Sequence, residues 1–240
     1  MLPDTAAAPH LQGGAPLSEF LALDPGERPL CLTSLAADLP GLALGTAAGV
    51  VKRVAPDHLA NRDVWEVIRL DDGDTVVGAS ALRTGDEQLC FITSDAQLLH
   101  FPAALVRPQG RSGGGVAGIR PAADARVVFF AAVPHVDDAV VVTVAGSSTA
   151  LPGTQAGAAK VTPMSEYPTK GRATGGVRAH RFLRGEDTLL LAWAGSAPPL
   201  AAAGSGSPVE LPAADGRRDG SGVPVRQPVA AVASALQPPA

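Results

Sequence analysis

The chain has 240 residues, 46% of them hydrophobic but only 4% aromatic, so Ala, Val and Leu must build its core. Its 27 glycines and 22 prolines favour many turns over long helices, and its net charge is −4. Two isolated cysteines exclude a disulfide framework or a cysteine-based metal site, and no run of about 18 apolar residues exists to cross a membrane.

Residues 1–11 are expected to fray, and their lack of a basic or apolar signal region points to the cytoplasm. A degenerate repeat opens at Gln12-Gly13-Gly14 and passes an acidic turn to reach Leu30-Cys31-Leu32-Thr33. Four hairpin-like units follow, at residues 42–54, 89–101, 139–151 and 188–200. Each is an apolar strand, a short turn of small residues and a second strand. Thr46, Thr93, Thr143 and Ala192 mark equivalent positions, spaced 47, 50 and 49 residues apart. Cys31 and Cys90 lie in apolar runs and are expected to be buried, reduced thiols in strands.

Arginine-bearing turns keep the same rhythm. Residues 110–116 and 171–177 share the pattern G-R-x-x-G-G-V, and Arg62, Arg111, Arg172 and Arg217 are separated by 49, 61 and 45 residues. One unit is therefore strand, acidic turn, strand, tight turn, strand, Arg turn, over about 48 residues, which is the length of a four-stranded propeller blade. Residues 216–234 are expected to complete the blade begun near Leu30. Residues 201–208 read as a flexible turn, and residues 235–240 as a flexible tail. The expected architecture is all-β, with four to five four-stranded blades over residues 12–234.

Charge is uneven. Residues 105–184 hold ten Lys/Arg and four acids, +6, which leaves −10 for the remainder. That asymmetry suggests an anion-facing middle on an acidic body. No catalytic constellation accompanies it. His10, His58, His100, His135 and His180 stand singly, without metal-ligand spacing. No G-x-S-x-G or P-loop order occurs, and Tyr167, the only tyrosine, reads as a packing residue. The Arg-Gly turns remain. Gly brings backbone close to a partner, and guanidinium matches phosphate oxygens bidentately. A repeated set suits a bent duplex held through its backbone. The alternative is a protein-interaction propeller that binds no nucleic acid.

At these residues the chain resembles the C-terminal domain of the A subunit of bacterial type IIA DNA topoisomerases, gyrase and topoisomerase IV. The likeness rests on residues 44–53 (LGTAAGVVKR), 91–101 (FITSDAQLLHF), 106–111 (VRPQGR), 167–172 (YPTKGR) and 175–178 (GGVR). It implies a β-pinwheel, a propeller-like fold whose blades exchange strands. It implies that Lys52, Arg53, Arg62, Arg107, Arg111, Lys170, Arg172, Arg178, Arg181 and Arg217 face duplex DNA. The implied partners are the catalytic core of the A subunit, together with the ATPase B subunit. ATP and Mg2+ would then be used by those other parts, this chain holding no cofactor, and the location would be cytoplasmic and nucleoid-associated. Three features depart from the family or from its gyrase form. One is the acidic balance of −10 outside residues 105–184, unusual for a DNA-binding disc, which implies a weak and salt-sensitive grip. The Q-R-R-G-G-K-G box that wraps DNA has no basic counterpart at residues 109–115 or 12–18, which makes the topoisomerase IV form the nearer one. The winged-helix region with the cleavage tyrosine is also missing, so the resemblance implies no strand cleavage by this chain.

Overall fold

The computed structural model describes residues 19–34, 38–56, 64–151 and 153–235. The chain divides into two compact units, Met1–Leu30 and Cys31–Ala240. In the first, a turn centred on Pro25-Gly26 is closed by the Glu27 N–H on Asp24 O at 3.0 Å and by the Asp24 N–H on Glu27 Oε2 at 2.8 Å.

The second unit is all-β, in four sheets. The first hairpin pairs β1 (Leu42–Thr46) with β2 (Val50–Val54). Next come β3 (Val76–Ala81) and a second hairpin, β4 (Gln88–Thr93) with β5 (Gln97–Pro102). Both hairpins close alike: Thr46 Oγ1 accepts the Val50 N–H at 3.1 Å, and Thr93 Oγ1 accepts the Gln97 N–H at 3.0 Å. A short run then holds β6 (Pro108–Gln109), β7 (Val116–Ala117) and β8 (Val127–Val133). The third hairpin is β9 (Ala139–Gly146) with β10 (Ala158–Pro163), followed by β11 (Val177–Arg178) and the long β12 (Thr188–Ser196). Last come β13 (Pro199–Ala202), β14 (Pro208–Val209), β15 (Val223–Pro224) and β16 (Ala231–Ser234).

Strands are exchanged along the chain. Each of the first three hairpins gains an inner strand that follows it and a short edge strand that arrives only after the next hairpin, and the first hairpin gains β6 as well. The sheet orders are β3-β1-β2 with β6 and β7 on β2, then β8-β4-β5-β11, then β12-β9-β10-β15. The fourth sheet is β16-β13-β14. Burial drives the stacking. Leu89, Phe91, Leu99, Phe101 and Phe130 fill the layer between the first two sheets. Ile92, Val133, Val141 and Leu189 fill the next, and Val142, Val161, Trp193 and Val232 the last.

Several expectations need correction. Residues 139–151 are not a hairpin, because the β9–β10 loop runs from residue 147 to 157 and the return strand is β10. Thr143 therefore sits in mid-strand opposite Lys160, not at a turn. Residues 188–200 are not a hairpin either. The strand β12 pairs with β9, and the fourth hairpin is β13–β14, so of the 201–208 stretch expected as a flexible turn only 203–207 is the loop and its ends lie in strands. Residues 216–234 complete no blade with Leu30–Thr33 by strand pairing: β15 pairs with β10 and β16 with β13, while Leu30–Thr33 forms no strand. Cys90 is buried in β4 as expected, but Cys31 is exposed and outside any strand.

Candidate nucleic-acid interface

The two G-R-x-x-G-G-V turns belong to a longer module. Residues 102–120 and 163–181 run in step: a 3₁₀ turn (Ala103–Leu105, Met164–Glu166), a buried Val106 or Tyr167, the Arg turn, and the edge strand β7 or β11. The glycine before each edge-strand valine is obligatory. Gly115 has φ +85° and Gly176 φ +79°, and a Cβ would stand 2.7 Å from Val51 O or 2.5 Å from Leu98 O. Only glycine lets the edge strand lie against β2 or β5. A third turn, one residue longer, precedes β15. A Cβ on its Gly222 would meet Ala158 O at 2.7 Å.

These turns bring together most of the arginines expected from sequence. Arg107, Lys170, Arg172, Arg178, Arg181 and Arg217 are exposed, and Arg111 is half-buried. Arg172 also donates from Nη1 to Ala117 O at 3.1 Å, which ties the second turn to the edge strand of the first sheet. Arg62 lies outside the described residues.

Lys52 and Arg53 do not belong to this surface. Lys52 is 0% exposed, its ammonium tucked beneath the first Arg turn. Arg53 is half-buried and spends Nη1 on Ala103 O and Val106 O, at 3.2 and 3.3 Å. Both brace the fold from within, the Lys52 ammonium fully covered and Arg53 tied by Nη1 to two backbone carbonyls.

The structure adds two arginines that the sequence pattern did not single out. Backbone hydrogen bonds link the turns in succession. The Arg120 N–H donates to Thr174 O and the Arg181 N–H to Gly220 O, both at 2.9 Å. The Arg69 N–H reaches Gly113 O at 3.5 Å, a looser copy of the same bond. Each acceptor lies three residues before its edge-strand valine. Arg69, Arg120 and Arg181 thus occupy one register position, all exposed, each preceded by a buried residue (Ile68, Ile119, His180). The Ala173 N–H on Gly118 O and a parallel bridge from Ile119 to Thr174 complete the join between the first and second turns. The visible signal was Ile-Arg, Ile-Arg, His-Arg, after each Gly-rich turn or its counterpart.

Several acids are committed to loops. Burial works to raise the Glu87 pKa, but the N–H groups of Arg83, Thr84 and Gly85 outweigh it and hold the carboxyl below its ordinary value. Glu186 Oε2 accepts the Leu183 N–H at 2.7 Å, and Asp74 Oδ1 the Ala48 N–H at 2.9 Å. These three carboxylates close turns.

Beneath the third turn sits a buried polar group. His180 Nδ1 and Thr143 Oγ1 are 2.9 Å apart, and Nε2 accepts the Gly222 N–H at 3.0 Å. That acceptor role places the ring proton on Nδ1. Burial, with Lys160 nearby, lowers the His180 pKa to about 4. His100 is also lowered, chiefly by burial, against its bond to Tyr167 O. A depressed histidine favours the folded state while neutral. Its contribution is full above the unfolded value of about 6.5 and disappears as pH falls toward 4. Unfolding by urea should show about 2 kcal/mol less stability at pH ~5 than at pH ~7, and His180→Gln should remove most of that difference.

The arrangement defines a class: an all-β repeat whose sheets exchange strands and whose Arg turns recur in register along one hydrogen-bonded series. The chain belongs to the DNA gyrase C-terminal domain, beta-propeller family, whose description matches residues 66–83, 87–134 and 153–189. It is 31% identical over 168 residues to the A subunit of DNA gyrase from Salmonella typhimurium, covering 68% of this chain and 18% of that protein. It is 33% identical over 183 residues to the A subunit of DNA gyrase from Mycobacterium leprae, covering 74% of this chain and 13% of that one. The chain thus spans less than a fifth of the length of these relatives. A crystal structure of the C-terminal domain of DNA topoisomerase IV shares the fold, with a TM-score of 0.70 and 20% identity over 91% of this chain and 69% of that one.

Proposed function

We propose that this chain is a non-catalytic DNA-binding domain of a type IIA topoisomerase A subunit, one that holds or bends a duplex for ATP-dependent strand passage. The observation that carries this reading is the series of three Arg turns joined by backbone hydrogen bonds, with exposed arginines at fixed register positions. Guanidinium groups on a repeated scaffold suit phosphate contacts that track a backbone and read no bases. The gyrase relatives supply the family context. The proposed partners are the catalytic core of the A subunit, together with an ATPase B subunit, in the cytoplasm and on the nucleoid, with ATP and Mg2+ used there. Without a basic box at residues 109–115, the proposal stops at holding and bending.

Binding to a labelled duplex across a salt series tests it. With about six phosphate contacts, affinity should fall about 10³-fold between ~50 and ~200 mM salt. Arg111→Ala with Arg172→Ala should reduce the log–log salt slope by about 2. No binding at low salt, or an unchanged slope in the double variant, would sink the reading.

A further inference from the structure

Two lysines at one register position are buried under Arg turns. Val51 pairs with Val116 and Ala159 with Val223, and the next residue of each hairpin strand is Lys52 or Lys160. Their exposures are 0% and 4%. Lys52 Nζ donates to Arg111 O at 2.9 Å and Gly113 O at 2.7 Å. Lys160 Nζ donates to Arg217 O at 3.0 Å and Arg218 O at 2.5 Å. The two sites repeat one device across more than 100 residues of chain.

The geometry has a consequence for the opposite side of each turn. In a trans peptide the N–H points away from the C=O of the same unit. Carbonyls drawn toward Lys52 therefore aim the N–H groups of Ser112 and Gly114 away from it. Those drawn toward Lys160 aim the N–H groups of Arg218 and Asp219 away likewise. N–H groups left facing outward on one turn are donors for an anion, and an adjacent guanidinium supplies the charge. The second turn is built differently. Its equivalent position is Leu99, buried and apolar, and the turn is fastened instead by Arg172 on Ala117 O.

We propose that Lys52 and Lys160 are positioning residues, which hold the first and third turns so that paired backbone N–H groups and an arginine receive one phosphate diester each. This rests on the phosphate-facing reading above. The ammonium groups touch no DNA; they act through the turns. The Lys160 ammonium is also sensitive to its surroundings: burial lowers its pKa to about 8, Asp215 and Asp219 raise it, and Arg218 lowers it.

Amide hydrogen exchange on the 240-residue chain, read with and without a duplex, tests the assignment. In Lys52→Met, exchange across residues 110–115 should quicken about tenfold while residues 171–176, which no lysine holds, stay unchanged. Duplex affinity should fall about fivefold, and adding Arg111→Ala should cost less than it does in the wild type, because both act through one turn. Lys160→Met should do the same at residues 216–220, so a failure of either variant to fold leaves the other decisive. Unchanged exchange in both variants, with wild-type binding intact, overturns the lysine assignment alone. Absence of duplex affinity in the wild type overturns the phosphate reading and the paired N–H sites with it.

Discussion

Alanine at Arg69, Arg120 and Arg181 together is expected to lower duplex affinity about 10²-fold at ~0.1 M salt and to flatten the log–log salt slope by about 3. Each side chain is exposed, while its backbone is pinned by a bond to the neighbouring turn and by the buried residue before it. The substitutions should therefore remove charge without moving the chain, and thermal stability should stay within about 0.5 kcal/mol of wild type. That separation matters, because Arg172→Ala also breaks the bond to Ala117 O and mixes charge with structure. Fluorescence anisotropy across a salt series reads the slope, and calorimetry reads the stability. A slope equal to that of wild type would mean that this row does not lie along the duplex. A slope change with no loss at low salt would place the row at the margin of the contact.

How much of this was legible in sequence depended on distance along the chain. The first two hairpins were visible because T-A-A-G and T-S-D-A compress the turn and its closing bond into five residues. The third was not, because its loop grew to residues 147–157 and Thr143 bonds His180, 37 residues away, instead of closing a turn. The repeat was readable, and the family resemblance implied strand exchange, yet which strands exchange was not readable. An edge strand two residues long carries no periodicity, and its partner lies some 60–80 residues back. Lys52 shows the same limit at the site. Val-Val-Lys-Arg reads as a strand with a solvated end, and what covers the lysine is a turn 59 and 61 residues downstream. The arginine register was present as Ile-Arg, Ile-Arg and His-Arg, but only the backbone bonds show that the three are one position.

The same strand exchange makes the layer between the first two sheets decisive for the turns they carry. Gly45 of β1 and Gly78 of β3 are paired in register and form a recess for Phe130 of β8. A Cβ on Gly45 would stand 2.2 Å from Phe130 Cγ, and one on Gly78 would stand 2.2 Å from Phe130 O. The ring also tilts against Phe91, centroids 4.7 Å apart, in a chain with only six phenylalanines. Phe130→Ala should therefore empty a recess that two glycines cannot fill. The expected cost is about 4 kcal/mol, and the expected fall in Tm about 10 °C, measured by calorimetry. Gly45→Ala alone should destabilise by clash with the ring. In the Phe130→Ala background the clash with Cγ and Cδ2 disappears while Cβ of residue 130, 2.6 Å from the added methyl, remains, so the relief should be partial and the double variant should still be more stable than the sum of the singles predicts. Gly78→Ala should show no such relief, since its obstacle is the backbone oxygen of residue 130, which the substitution leaves in place. Additive losses for the Gly45 pair would show that the ring and the recess are not one packing unit. Because the Arg120–Thr174 bond spans the sheets that Phe130 joins, duplex binding by Phe130→Ala should be lost at a temperature about 10 °C below that of wild type, in step with unfolding.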